Sequence, residues 1–222
     1  MRISRTISGA LFGLVLFAPL LAAQGNALGD RYFENSWFWG INGGTTMFTA
    51  GVDRNVRVNA PTVGGEWLIT RTRIALRLAV QQAFFEKQAA IFDASAGGMR
   101  PVNVKDWRRY AAELYAFPKA FGSLRPYGGI GLALNVLQNA DPAGSFESEA
   151  ALDSALAVVQ ETSSRAAFVL TAGTQLGVGR AGLFLQASTM PTRNNFLFSR
   201  SNYTVVLEAG VRYNFGSAIE KF

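Results

Sequence analysis

Arg73-Ile-Ala-Leu-Arg-Leu-Ala-Val-Gln-Gln-Ala-Phe-Phe-Glu86 is the stretch that decides the fold. Ile74, Leu76, Leu78, Val80 and Phe84 fall on one side of a two-residue period, with Arg73, Ala75, Arg77, Ala79, Gln81 and Ala83 on the other. An amphipathic helix would repeat its apolar positions every 3.6 residues, whereas strict alternation is the signature of a strand with two unlike faces. Tyr203–Phe215 repeats the pattern: Tyr203, Val205, Leu207, Ala209, Val211, Tyr213 and Phe215 alternate with Thr204, Val206, Glu208, Gly210, Arg212 and Asn214. Residues 129–136 and 167–178 do the same, and weaker runs cover Trp37–Phe48, Thr62–Thr70, Arg109–Lys119 and Gly182–Met190. Eight strands of about 9–13 residues are predicted, the length that crosses a bilayer at a tilt.

The gaps between these runs alternate in length. Long ones fall at 49–61, 87–108, 138–163 and 190–201, and short ones at Arg71–Thr72, Phe121–Arg125 and Gly179–Ala181. Seven connections alternating long and short around eight strands describe an up-and-down antiparallel transmembrane β-barrel, with both chain ends on the short-turn side. The fold class is therefore all-β.

The two faces set the barrel's polarity. The apolar face carries Trp37, Trp39, Trp67, Phe84, Tyr110, Tyr203, Tyr213 and Phe215, rings suited to the headgroup depth of a membrane. The other face carries Glu66, Arg77, Arg109, Glu113, Glu208 and Arg212, together with Asn42, Gln81, Asn135, Gln175 and Gln186. Small residues (Gly40, Gly44, Gly129, Gly131, Ala133, Gly173 and Gly210) share that charged face. Eight strands enclose only enough space for side chains to fill, so an interior Arg/Glu network, balanced three against three, is expected rather than a channel.

Glu208-Ala-Gly210-Val-Arg-Tyr213-Asn-Phe215 resembles the terminal assembly signal of outer-membrane proteins, polar-x-Gly-x-x-aromatic-x-aromatic, at Glu208, Gly210, Tyr213 and Phe215. With Arg125-Pro-Tyr-Gly-Gly-Ile-Gly131 opening a middle strand, the chain resembles the small OmpA/OmpX-type barrels beyond its leader. Seven residues, Gly216 to Phe222, follow Phe215, so Phe222 is a second candidate for the terminal aromatic. The resemblance implies a bacterial outer-membrane location and insertion by the barrel-assembly machinery.

Composition removes most chemistry. The chain has 222 residues, 49% apolar and 16% charged, with 23 Gly, 17 Phe, no Cys and no His. Without His the commonest general base and metal ligand are missing, and without Cys there is neither a disulfide nor a thiolate site. No catalytic residue, cofactor or metal is expected. Glu66, Glu113 and Glu208 are read as members of a salt-bridge lattice rather than acid–base pairs, since no nucleophile accompanies them. Met1-Arg-Ile-Ser-Arg5 followed by the 14-residue apolar run Ala10–Ala23 reads as a signal peptide over 1–27, cleaved after Ala23 or Ala27. Cleavage after Ala27 leaves residues 28–222 as a single barrel domain and, by removing two arginines, lowers the formal net charge from +6 to +4.

Three further features are weighed against plainer readings. Gly177-Val-Gly179-Arg-Ala-Gly182 has the G-x-G-x-x-G spacing, but a strand rather than a helix follows it, so it reads as a tight turn. Residues 139–163 hold Asp141, Glu147, Glu149, Asp153 and Glu161 and no cation. That segment reads as a solvated loop with a short helix over Glu147–Val159, with Ca²⁺ binding as the sharper alternative. Arg54, Arg57, Arg100, Lys105, Arg108, Arg193 and Arg200 lie in the other loops, where they could meet lipopolysaccharide phosphates; they lack the clustering that nucleic acid requires. The expected role is structural or interactive, with long loops displayed to an unknown surface ligand. A narrow pore, a conduit for small solutes or hydrophobic ligands, and a surface adhesin are the alternatives.

Overall fold

A computed structural model of the chain describes residues 32–52, 56–191, 196–198 and 203–217. The predicted signal segment, Arg54, Arg193, Arg200 and Phe222 lie outside them. The strands are β1 (Ser36–Ala50), β2 (Val56–Thr70), β3 (Ile74–Asp93), β4 (Gly98–Ala116), β5 (Leu124–Leu137), β6 (Ala140–Pro142), β7 (Ser164–Val178), β8 (Ala181–Pro191) and β9 (Tyr203–Ser217), with one helix, α1 (Glu149–Thr162), between β6 and β7. Eight of the strands pair antiparallel in the order β3-β2-β1-β9-β8-β7-β5-β4, and β3 pairs with β4 to close the ring. Closure is the physical requirement in hydrocarbon, because an open sheet edge would leave unsatisfied N–H and C=O groups with no water to meet them. The short strand β6 lies outside the ring and pairs with β4 at Val102–Val104.

Alternation places the faces as the sequence predicts. Ile74, Leu76, Leu78 and Val80 of β3 point outward and are exposed, as are Ile130, Leu132 and Leu134 of β5 and Leu207 and Val211 of β9. Trp37, Trp39 and Trp67 cluster on the outer face near the short-turn end. Trp39 stacks on Trp67 with 5.6 Å between centroids, and Trp37 meets Trp67 edge-on at 4.9 Å. Tyr213 and Phe215 of β9 add a second aromatic pair at the same end, 5.2 Å apart.

Two of the predicted loops are shorter than expected. β1 and β2 extend to Ala50 and back to Val56, leaving only 51–55 between them. The segment 87–108 is not a loop. β3 and β4 continue as a hairpin, registered from Glu86↔Lys105 to Asp93↔Gly98, that turns through 94–97 with Gly97 at φ +63°. At about 3.3 Å per residue, the ten residues beyond Ala83 carry this hairpin roughly 30 Å past the point where β2 stops pairing. A register shift between Ala83 and Glu86 marks the departure; Asp106 sits there at φ +70°, and its carboxylate accepts from the Phe85 N–H at 3.2 Å.

The helix starts where the acidic loop allows. Ser148 caps it, its hydroxyl accepting from the Ala151 N–H at 3.2 Å, and Glu149 stands in the first turn where a carboxylate favours the helix dipole. It runs over Glu149–Thr162 rather than Glu147–Val159, and buries Ala151, Ala155 and Val159 on one stripe. The Gly177–Gly182 motif is a two-residue β7–β8 turn, with Gly179 at φ +59°. If Leu207 faces acyl chains, Leu207→Arg should cost about 2–4 kcal/mol of folding free energy in lipid vesicles. Urea titration followed by tryptophan fluorescence would measure it, and Thr204→Ser on the inner face should change little by comparison.

Candidate functional site: the filled lumen and its two seals

Arg77 is the centre of the interior. It is fully buried on β3 and donates from Nε to Glu66 of β2 at 2.7 Å, from Nη1 to Glu113 of β4 at 2.5 Å, and from Nη2 to Glu208 of β9 at 3.4 Å. Two of these carboxylates are shared with other guanidiniums. Arg212 of β9 donates to the second oxygen of Glu66, and Arg109 of β4 donates to Glu208 at 3.2 Å. Glu113 also accepts from Thr171 at 2.5 Å. Three carboxylates and three guanidiniums thus form one connected, electrically neutral cluster.

Neutral side chains carry the network to every strand of the ring. Gln175 of β7 accepts from Arg212 at 2.8 Å, and Gln186 of β8 donates to Glu208 at 2.8 Å. The Tyr127 hydroxyl of β5 and the Tyr115 hydroxyl of β4 both donate to Gln186, at 2.8 and 3.2 Å. Arg109 donates to Gln81 at 2.6 Å, and Gln81 donates to Asn42 of β1 at 3.2 Å. Asn135 stands one layer above and accepts from the Trp107 indole at 3.2 Å.

Small residues make the reach possible. Gly40 of β1 is registered opposite both Glu66 and Arg212, so those two side chains must meet across it. A Cβ at Gly40 would lie 3.0 Å from Glu66 Cγ and 3.1 Å from Arg212 Cγ. Gly210 answers a different need, since a Cβ there would come within 2.3 Å of the Ile41 carbonyl oxygen. The Arg212 guanidinium carbon lies over the Phe184 ring, 3.9 Å from its centre, which gives the cation a π partner.

Apolar layers lie on both sides of the charges. At the short-turn end the N-terminal turn folds back into the mouth. Phe33 packs edge-on against Phe117 at 4.7 Å and beside Phe38, while Tyr115 and Tyr127 stack at 4.8 Å. The turn is fixed by Thr70 donating to the Phe33 carbonyl and Asn214 donating to the Tyr32 carbonyl. At the loop end Phe48 sits among Phe85, Trp107 and Phe198 at 4.8, 5.3 and 4.9 Å, and Phe196 closes on Trp107 at 5.4 Å. Helix residues Ala155 and Val159 and hairpin residues Ala89, Ile91, Val102 and Val104 complete that cap. Between cap and lattice, a void of about 10 Å³ remains beside Gln81, Trp107 and Arg109, which is about the space of one water.

Sequence reading alone overlooks several of these groups. Tyr115, Tyr127 and Thr171 share the inward parity of their neighbours Glu113, Gly129 and Val169, which was the available signal. Phe196-Leu-Phe198, an apolar triplet between polar loop residues, marks the cap. Arg100 is corrected outright. It is not free to contact lipopolysaccharide: it is buried, ion-paired to Asp93, donates to the Ala143 and Ser145 carbonyls at 3.1 Å each, and lies 4.0 Å over Phe146. Asp93 accepts from Ser95 as well as Arg100, and these bonds hold its carboxyl down to about 2. Arg57, Lys105 and Arg108 remain exposed. Among the described residues no cluster of three or more metal-ligating side chains occurs, and the acidic segment spends its first-turn carboxylate on the helix.

No family model matches the sequence, and no curated protein matches it. Solved structures match in fold. Over 81% of its length the chain is similar to Neisserial surface protein A, covering 97% of that chain at 13% identity with a TM-score of 0.51. It is also similar to the outer membrane protein OprG from Pseudomonas aeruginosa, at 13% identity and TM-score 0.49 over 84% of this chain and 99% of that one. The N-terminal barrel domain of Pseudomonas aeruginosa OprF matches at 12% identity and TM-score 0.45, over 82% and 98%. The chain is a closed eight-stranded antiparallel β-barrel, the fold it shares with Neisserial surface protein A.

The lattice makes a quantitative demand. Glu113→Gln leaves Arg77 with one carboxylate fewer in a dry interior and should cost about 3–5 kcal/mol. Adding Arg77→Gln removes a neutral pair, because Glu66 keeps Arg212 and Glu208 keeps Arg109; the double variant should recover about 0.5–3 kcal/mol relative to the sum of the singles. Urea titrations of the four proteins in vesicles close the cycle, and strictly additive losses would separate the two groups. At the hairpin, the lowered Asp93 carboxyl contributes stability at pH values above the ordinary carboxylate range near 4, and that contribution is lost as pH falls from about 4 through 2. Hydrogen-exchange protection at 94–98, after correction for the intrinsic exchange rate at each pH, should therefore fall over that window, and Asp93→Asn should remove this pH dependence of protection.

Proposed function

We propose that this chain is a non-conducting, non-enzymatic outer-membrane barrel, in which the ring is an anchor and the layer above the membrane is the working surface. One observation carries the reading: the lumen is filled at three successive levels, by the Phe33 plug, the Arg/Glu lattice and the aromatic cap. An ion following the axis would have to displace packed rings twice and break a neutral lattice in between.

The layer outside the membrane is built rather than loose. α1 covers the inner face of the β3–β4 extension and β6, and its last turn accepts a backbone hydrogen bond from Leu197 at 3.1 Å. The outer face of that extension presents Phe92 and Met99, cross-strand partners exposed by 67% and 52%. Large exposed apolar side chains on an ordered platform suit contact with another molecule. Exposed Arg57, Lys105 and Arg108 suit the phosphates of lipopolysaccharide. The last strand supports insertion by the assembly machinery: Glu208 and Gly210 face inward while Tyr213 and Phe215 lie on the outer aromatic belt.

Planar-bilayer recording tests the proposal. The folded protein, verified by its heat-modifiable gel mobility, should show no discrete openings, and Phe196→Ala/Phe198→Ala should stay silent because the lattice below still blocks the axis. Steady openings in the unaltered protein would replace this reading with the narrow-pore one.

A further inference from the structure

At the short-turn end a crevice of about 350 Å³ opens between two turns, one at Thr72–Arg73 and the other at Phe117–Ala120. The turns are tied together by the Phe117 N–H donating to the Arg73 carbonyl at 2.8 Å. The rings of Phe33 and Phe117 form its floor, and three cations line it: Arg73 and Lys119 are exposed, and Arg125 is buried with its guanidinium 4.4 Å over the Phe33 ring. Glu34 is the single carboxylate in the lining.

The surroundings share this imbalance. Among the described residues, the exposed charges at the short-turn end are Arg71, Arg73, Lys119 and Arg180 against Glu34, whereas the acids of the 139–163 segment all lie at the other end. Arg180 lies 5.7 Å from the centre of Tyr213, within the outer aromatic belt. Just outside the crevice, Ile74, Leu76 and Leu114 form an exposed apolar track down β3 and β4. Cations at the edge of an apolar, aromatic-belted surface stand where a lipid phosphate stands, since long basic side chains reach from the hydrocarbon boundary to the headgroup.

We propose that this crevice binds the phosphate of an anionic phospholipid in the membrane leaflet at the short-turn side, with an acyl chain on the Ile74–Leu114 track. The proposal rests on the reading of the chain as a membrane-inserted barrel with its short turns toward the periplasm. It explains why the mouth already sealed by Phe33 still gathers cations. Glu34 tunes the site by opposing a second negative charge.

Native mass spectrometry of the detergent-folded protein, titrated with phosphatidylglycerol or phosphatidylcholine, tests it. Phosphatidylglycerol should bind more tightly. Each neutralised cation should weaken it about fivefold, so Arg73→Gln/Lys119→Gln should lose about 25-fold. Glu34→Gln should tighten binding severalfold, an outcome that general destabilisation would not produce and that keeps the test open if the double variant folds poorly. Equal affinity for the two lipids, or unchanged affinity in the folded double variant, overturns the proposal. Competition by inorganic phosphate at the same concentration as the lipid would overturn the lipid source and make a soluble phosphate the occupant. Failure of the parent protein to show heat-modifiable mobility or to insert in vesicles would instead overturn the membrane reading itself.

Discussion

Everything inside this barrel depends on Arg77 being neutralised away from bulk solvent. A guanidinium buried in a dry lumen is tolerable only when its donors are met by acceptors of opposite charge, because the desolvation cost is several kcal/mol per ion. Arg77 meets three carboxylates, from β2, β4 and β9, and each of those has a further donor. The cluster is therefore not three separate pairs whose members could exchange freely. It is a single arrangement in which moving any one strand's register by a residue would turn a charge outward into acyl chains. A buried lattice of this kind adds little net stability over an apolar filling, but it fixes which strand lies beside which, and at what height.

Gly40 shows how backbone and lattice constrain each other. The strand that separates Glu66 from Arg212 must present nothing at that height, or the two side chains could not meet. β1 therefore carries a glycine at that height of its inward face and pairs antiparallel with β2 and β9 on either side. The small residues that the sequence scatters among its charges are spacers for a network that crosses strands, rather than openings for a channel.

The faces of the eight strands were legible because alternation inside a membrane is unambiguous: one side meets hydrocarbon and must be apolar. The same rule made the hairpin above the membrane hard to read. Beyond Ala83 the outward face meets water, so Glu86, Gln88, Asn103 and Lys105 replace the apolar side chains and the run resembles a polar loop. The inward positions Ala89, Ile91, Val102 and Val104 kept their period throughout. Which guanidinium meets which carboxylate was not legible. Arg77 and Glu208 are separated by 131 residues, and only the stagger of the closed ring brings them together. Phe33 and the Phe196–Phe198 triplet were missed for a related reason, since neither belongs to a strand and their burial is decided by what closes over them.

The caps and the lattice need each other. Water reaching the three carboxylates would screen their attraction to the guanidiniums and let the side chains separate, so the aromatic layers raise the strength of each ion pair by excluding solvent. Conversely, a cap packed over an uncompensated charge would be driven open by that charge's demand for water. Neutral balance in the middle is what permits dry rings at both ends, and dry rings at both ends are what make neutrality in the middle obligatory. A barrel built this way is filled along its axis, and the exposed groups that set it apart lie at its two ends: on the α1-backed platform at the loop end, and around the cationic crevice at the short-turn end.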